Sequence, residues 1–415
     1  MRAFVIAENQ RFRMSTQLPF TDTYRWFRRS TKLSSKLCAR LVGTLVLTLA
    51  LTACQSDGVE ALKTAATEAA PAEQNFGSGP TTLAMLVPLS ASGATGRKAR
   101  DFRDGAALAM SELGNGKAQL TVYDIGAGSG QAAVLGQKAA NAGAKLILGP
   151  TEPVSLAALA NVPAAQRPPV LALMGQSAPR VEGTYALVSD AVDSALEAAD
   201  IVIGSGRKSF VAVAPAASVA AIGSRLARGV SEAKGEFVGI VPYASTGSAL
   251  AGELGARKDL FAKAQGVMIF GEGRDPAAVA AALRSISALQ PGATIIGNLG
   301  WTSDNFASPA LEGAIVAMPD QVSLGQIADR YRAAKGRAIT IEAAYGYDAV
   351  AMAMGIVRVM GPDALTTSAL TTPTGFRGAT GTFRLRSDGS VERPLSLYRF
   401  RGGALELLDA APVGF

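Results

Sequence analysis

Serine, lysine and carboxylates carry whatever chemistry this sequence has, because no histidine occurs among its 415 residues and only two cysteines do, Cys38 and Cys54. Ser-His-Asp hydrolysis, His-ligated metals and Cys/His zinc sites are excluded on composition alone. Serine with a lysine base remains open. Ser231-Glu-Ala-Lys234 and Ser303-Asp-Asn305 have the spacing in which a nucleophile and its lysine stand one helical turn apart, with a second serine to assist. The third element of that chemistry, Lys-Thr-Gly or Lys-Ser-Gly, does not follow. Lys234-Gly235 also reads as a helix stop, whereas such a nucleophile needs a helix start. Asp101, Asp104 and Glu112 lie among bases on one helical stretch and read as a solvated face, not as paired catalytic carboxylates. Gly126-Ala-Gly-Ser-Gly130 follows a strand, but its last glycine falls one residue early for a dinucleotide loop and no acidic ribose partner follows, so it reads as a plain loop. No catalytic residue, cofactor or metal is expected.

Binding is better served. Gly149-Pro-Thr-Glu-Pro-Val-Ser155 leaves a buried strand and opens a helix, so Thr151 and Ser155 with the helix amides suit a carboxylate, while Glu152 between them suits an ammonium. The same residues also fit a simple helix cap. Ser90 and Ser92 occupy a comparable place after the first strand.

These loops need a frame, and the chain supplies one in alternating runs. Leu83–Leu89 reads as a buried strand, Arg97–Leu113 as a helix with Phe102, Ala106, Ala109, Met110 and Leu113 on one face, and Gln119–Asp124 as the next strand. The alternation continues through helix 131–142, strand 145–148, helix 153–161 and strands 170–174 and 185–188. A second set runs from helix 191–204 through strand 210–214, helix 217–234, strand 237–243, a polar stretch, strand 266–270, helix 275–289 and strands 294–296 and 313–318. Helices 323–335 and 340–360 follow. The tail closes with strands 381–385 and 395–400, joined through the turn Ser387-Asp-Gly389. Two successive parallel sheets covered by helices are the prediction: an α/β fold.

The charge distribution limits the partners. Residues 1–53 hold nine of the 40 Lys/Arg and two of the 33 Asp/Glu, leaving 31 bases and 31 acids interspersed over the rest, so no nucleic-acid footprint exists. The basic head runs into Leu41–Leu51, too short for a bilayer span of about 20 residues but suited to an export-signal core. Leu51-Thr-Ala-Cys54 resembles the bacterial lipobox. That resemblance implies removal of residues 1–53, acylation of Cys54 and, since neither Gln55 nor Ser56 is a retention Asp, an outer-membrane address. The stretch before about Lys32 exceeds what a signal needs, which makes Met14 an alternative start. Residues 54–81 read as a solvated tether, whose roughly 26 flexible residues reach about 28 Å.

Val87-Pro-Leu-Ser90, Arg103-Asp-Gly-Ala-Ala-Leu-Ala109, Ile147-Leu-Gly-Pro150, Pro169-Val-Leu-Ala172, Tyr345-Gly-Tyr-Asp-Ala349 and Gly378-Ala-Thr-Gly-Thr-Phe383 with Arg386-Ser-Asp-Gly389 resemble, in order, type I periplasmic binding proteins. The closer likeness is to the leucine-binding-like branch, which includes lipoproteins termed penicillin-binding protein activators. The resemblance covers roughly 82–415. It implies two Rossmann-like lobes with parallel sheets and a hinge of three crossovers, one lobe at 82–190 plus 319–374 and the other at 191–318 plus 375–415. It implies a small, amino acid-like ligand held between the lobes, with Ser90, Thr151, Ser155, Gln176 and Ser177 on one side and Tyr243, Glu272 and Trp301 on the other. Pro215-Ala-Ala-Ser218 departs from the Asp and aromatic often found there. Three roles stay open: a receptor that serves an ABC permease or a sensor, a lipoprotein that docks on a peptidoglycan synthase, and, a distant third, an enzyme like the serine β-lactamases.

Overall fold

The computed structural model describes residues 73–126, 130–175 and 180–415. The chain divides into Met1–Ala65 and Ala66–Phe415. The signal segment, Cys54 and most of the tether expected over 54–81 lie outside the described residues, and so do Gln176 and Ser177.

In the first lobe β1 (Glu73–Ser78), β2 (Thr81–Val87), α1 (Gly93–Ala109), β3 (Ala118–Asp124), α2 (Gly130–Asn141), β4 (Leu146–Leu148), α3 (Pro153–Leu159), β5 (Val170–Ala172) and β6 (Thr184–Ala186) build a sheet ordered β1-β3-β2-β4-β5-β6. All its neighbours pair in parallel except β1, which runs antiparallel to β3. The end of the expected tether is therefore a strand. Its sequence, Glu-Gln-Asn-Phe-Gly-Ser, has no apolar period because an edge strand is held by backbone pairing with little side-chain burial.

The second lobe comprises α4 (Ala191–Gly204), β7 (Ser209–Pro215), α5 (Val219–Glu232), β8 (Glu236–Tyr243), α6 (Leu250–Gly255), α7 (Lys258–Phe261), β9 (Gly266–Ile269), α8 (Asp275–Ser285), β10 (Thr294–Ile296), α9 (Ser303–Phe306) and β11 (Ile315–Met318). The polar stretch after β8 holds two short helices. The chain then returns through α10 (Gln321–Lys335), α11 (Ile341–Met360), α12 (Thr367–Leu370) and the three-stranded β12 (Phe376–Gly378), β13 (Gly381–Leu385) and β14 (Val391–Glu392). Finally β15 (Ser396–Arg401) and β16 (Ala404–Asp409) complete the second sheet, ordered β16-β15-β11-β10-β9-β7-β8.

Two expectations shift here. The turn at 387–389 joins β13 to β14, not to the strand near 395–400, which instead pairs antiparallel with β11. The lobe border expected at 374/375 also moves. Phe383, Leu385 and Val391 are buried in the first lobe's core with Leu83, Leu120 and Tyr345, so 376–392 packs there.

Strands β2, β4 and β5 are buried on both faces, which is why they read as unbroken apolar runs. Helices α1 and α11 meet through glycine. A Cβ on Gly105 would sit 1.8 Å from the Ala343 carbonyl oxygen, and one on Gly346 would sit 2.0 Å from that of Phe102. The crossovers between the lobes are knotted together by side chains. Asp348 of α11, fully buried, accepts from the amides of Ala379 (2.5 Å) and Thr380 (3.0 Å) and from the Thr380 hydroxyl. That hydroxyl in turn accepts from Arg393, which donates also to the Leu187 carbonyl at 2.9 Å.

Candidate functional site

In each sheet the parallel strands run β3-β2-β4-β5-β6 and β8-β7-β9-β10-β11, so the direction of progression reverses between β2 and β4 and between β7 and β9. Crevices that admit ligands open at such reversals, beyond the carboxyl ends of the strands. A cavity of about 400 Å³ lies there, walled by α1 (Thr95, Lys98, Phe102), the loop after β4 (Thr151, Glu152, Pro153), the segment Leu173–Gly175, the crossover Val188–Ala191 and the start of α11 (Ile341, Glu342, Tyr345). The second lobe contributes Leu299 and Gly300. A cavity of about 560 Å³ adjoins it, walled by Arg97 and Asp101 of α1, Glu272 and Gly273 after β9, Trp301 and Thr302 after β10, and the crossover at Met318–Gln321. Lys98, Leu299, Gly300, Ile341 and Glu342 line both cavities and so stand at their junction.

Of the binding residues singled out in the sequence, Thr151, Glu152, Glu272 and Trp301 reach this gap. Trp301 does so while almost wholly buried. It is 3 % exposed, donates its indole N–H to the Ile269 carbonyl at 3.0 Å and leans on Phe400 with ring centres 5.5 Å apart. Tyr243 lines neither cavity. It is turned into the second lobe's core, its hydroxyl donating to the Phe270 carbonyl at 3.1 Å, because the alternation along β8 places its last residue inward. Burial beside Asp275 holds its hydroxyl far above the usual tyrosine range. Ser155 is fully buried on the inner face of α3, its hydroxyl without a partner among the described residues, and Ser90 is exposed and lines neither cavity, its amide donating to Asp124 at 3.3 Å. Residues 216–218 line neither cavity. Ser231 is exposed at the C-terminal end of α5, and Asn305 is a structural clamp whose amide donates to the Gly273 carbonyl at 2.8 Å, steadying the loop that presents Glu272.

The charges of the gap fall into two sets. Asp101 is bound by Arg337 at 2.6 Å and Asp190 by Arg225 at 2.6 Å, so both are spent on the fold. Arg97, Lys98, Glu152 and Glu272 line the two cavities and take no part in any ion pair among the described residues. Glu342 stands between the cavities. Burial pushes its carboxyl above the usual range, its own amide and Lys98 pull the other way, and the charges of Asp101 and of Glu272 from the opposite lobe push it further up. Lys98 and Glu342 escaped the sequence reading. Each sits where a charged helical residue is ordinarily solvated, and an acid in a helix's first turn is expected from the dipole alone.

A family model described as periplasmic binding protein matches residues 80–404. No curated protein matches the chain. Among solved structures, a periplasmic binding protein from Burkholderia mallei superposes with a TM-score of 0.61 at 16 % identity, covering 80 % of this chain and 95 % of that one. A solute binding protein of an ABC transporter from R. palustris, in complex with benzoate, gives 0.58 at 18 % identity over 81 % and 98 %. A leucine binding protein from Thermotoga maritima gives 0.57 at 14 % identity over 80 % and 99 %. At these identities the likeness is one of fold: two α/β lobes joined by crossovers around a gap. The chain belongs to the periplasmic binding protein family, of type I.

Proposed function

We propose that this protein is a receptor that captures a small, amino acid-like ligand between its lobes, serves an ABC permease or a sensor, and is tethered to the outer membrane through lipid on Cys54. One observation carries the binding role: two adjoining cavities at the strand-order reversals, walled by both lobes, with charged side chains of both signs that have no ion-pair partner among the described residues. A ligand that contacts both lobes has differential affinity for the closed state and draws them together. The solved relatives that hold leucine or benzoate share this fold. The lipid tether is supported by the apolar run Leu41–Leu51 and by the lipobox-like Leu51-Thr-Ala-Cys54 that closes it.

A thermal-melting screen of the full-length chain against amino acids, aromatic acids and peptidoglycan fragments tests the reading. A ligand at about 100 times its dissociation constant stabilises by about 2.7 kcal/mol, a shift of several degrees. Melting that no small molecule displaces would leave the receptor role without support and return the gap to protein docking.

A further inference from the structure

Resting on the receptor reading, the charges of the gap narrow its ligand. Three carboxylates, Glu152, Glu272 and Glu342, and two cations, Arg97 and Lys98, line the gap without an ion-pair partner among the described residues. Glu272 and Glu342 line the larger cavity from opposite lobes; Lys98 partly offsets the Glu342 carboxylate, and the charge of Glu272 acts on it from across the gap. Closing it over a ligand without positive charge would bring those carboxylates together in a medium of falling dielectric. The smaller cavity adds a second carboxylate of its own. Glu152 precedes α3 but its side chain caps nothing there, and Phe102, Leu173 and Val188 provide an apolar wall beside it.

We infer that the ligand is an amino acid carrying a second cationic group on its side chain, such as a lysine- or arginine-like molecule, not an aliphatic or aromatic one. Its α-ammonium lies between Glu272 and Glu342, its carboxylate meets Lys98 at the junction, and its methylene stem runs along the apolar wall to set the distal cation against Glu152. Specificity here comes as much from rejection as from attraction. A leucine-like side chain would close the gap over Glu152 and leave that carboxylate desolvated and unpaired.

Titration calorimetry on the full-length protein with L-lysine, L-arginine, L-leucine, cadaverine and benzoate decides the point. L-lysine or L-arginine is expected to bind at least tenfold tighter than L-leucine. Glu152→Gln should weaken L-lysine about tenfold to a hundredfold, the range for one charge-assisted hydrogen bond, while leaving L-leucine unchanged or improved. Glu272→Gln should weaken both amino acids, and Lys98→Met should weaken L-lysine but not cadaverine, which lacks the carboxylate. Preferred binding of L-leucine or benzoate, or a Glu152→Gln loss equal for L-leucine and L-lysine, overturns the inference and leaves the receptor reading intact. Failure of every one of these probes to bind also overturns the inference, while the receptor reading still stands or falls on the wider melting screen.

Discussion

Asp348 shows how much one residue can hold. Its carboxylate gathers two amides and a hydroxyl from Ala379 and Thr380, and through Thr380 it holds Arg393, whose guanidinium also stacks 4.9 Å over Tyr345 and 4.2 Å over Phe383. Arg393 sits on the crossover that follows β14, and it reaches Leu187 on the crossover that follows β6. The ion pair itself is long, 3.8 Å, with both side chains fully buried, so the hydroxyl bridge carries the contact. Asp348→Ala would strand a buried guanidinium and free three donors at once, which is expected to cost about 3–5 kcal/mol. Urea unfolding would register it as a lowered midpoint, and a loss under about 1 kcal/mol would mean that the network is not what joins these segments. Tyr345-Gly-Tyr-Asp-Ala349 and Gly378-Ala-Thr-Gly-Thr-Phe383 were legible as motifs, and the contact between Asp348 and Thr380 is what couples them. That coupling spans 32 residues and leaves no trace in local pattern.

At the scale of elements, α1 and α11 decide where the gap's charges stand, since Lys98 rides on one and Glu342 on the other. Their closeness depends on Gly105 and Gly346, each facing a carbonyl of the partner helix with no room for a methyl group. Gly105→Ala must therefore push the helices apart against backbone, not against a side chain that can swing away. The expected cost is about 1–3 kcal/mol, the range for overpacking, together with weakened ligand binding as Lys98 and Glu342 separate. Guanidinium unfolding and titration calorimetry on the same variant would check the two effects, and unchanged stability would show that the interface yields. The alternation of strands and helices was readable because β2, β4, β5, β7 and β9 are buried runs bounded by turns. Elements without apolar period were not. β1 is an edge held by its backbone, β14 has two residues, and the helices after β8 have six and four. The candidate site was legible where a loop ends a strand, as at Thr151 and Glu272. It was illegible at Lys98 and Glu342, whose helices turn an ordinary charged position toward the opposite lobe.

The whole molecule adds a dependence on pH that no single lobe would have. Glu197 of α4 accepts from the Leu395 amide at 2.8 Å and so fastens the second lobe to the last crossover. It lines a cavity of about 420 Å³ with Ser189, Asp193, Glu392 and Arg393, at the joint of two crossovers. Burial, with the Leu395 amide opposing and the charges of Asp193 and Asp200 adding, pushes its carboxyl up from an ordinary 4.5 to about 7. Asp193 rises to about 6 through burial and the nearby Asp190, against the pull of Arg225. Both carboxyls hold protons more tightly folded than unfolded, Asp193 from about pH 3.8 to 6 and Glu197 from about 4.5 to 7, so between about pH 3.8 and 7 the native state carries the excess. Stability must therefore fall as pH rises through that window and level off above it. Because Glu197 is only partly buried, solvent screening reduces the cost of its ionisation to about 1–2 kcal/mol. Glu197→Gln keeps an acceptor for the Leu395 amide and removes the charge. Its melting temperature should exceed that of the parent by a few degrees at pH 8 and match it near pH 4.5. Melting curves taken from pH 4.5 to 8 would show the parent declining and the variant declining less, by the share that Glu197 contributes, the rest coming from Asp193 and from Glu342 and Asp348, whose carboxyls burial also raises. Parallel curves would mean that Glu197 ionises freely in the folded protein and that the joint between crossovers does not sense pH.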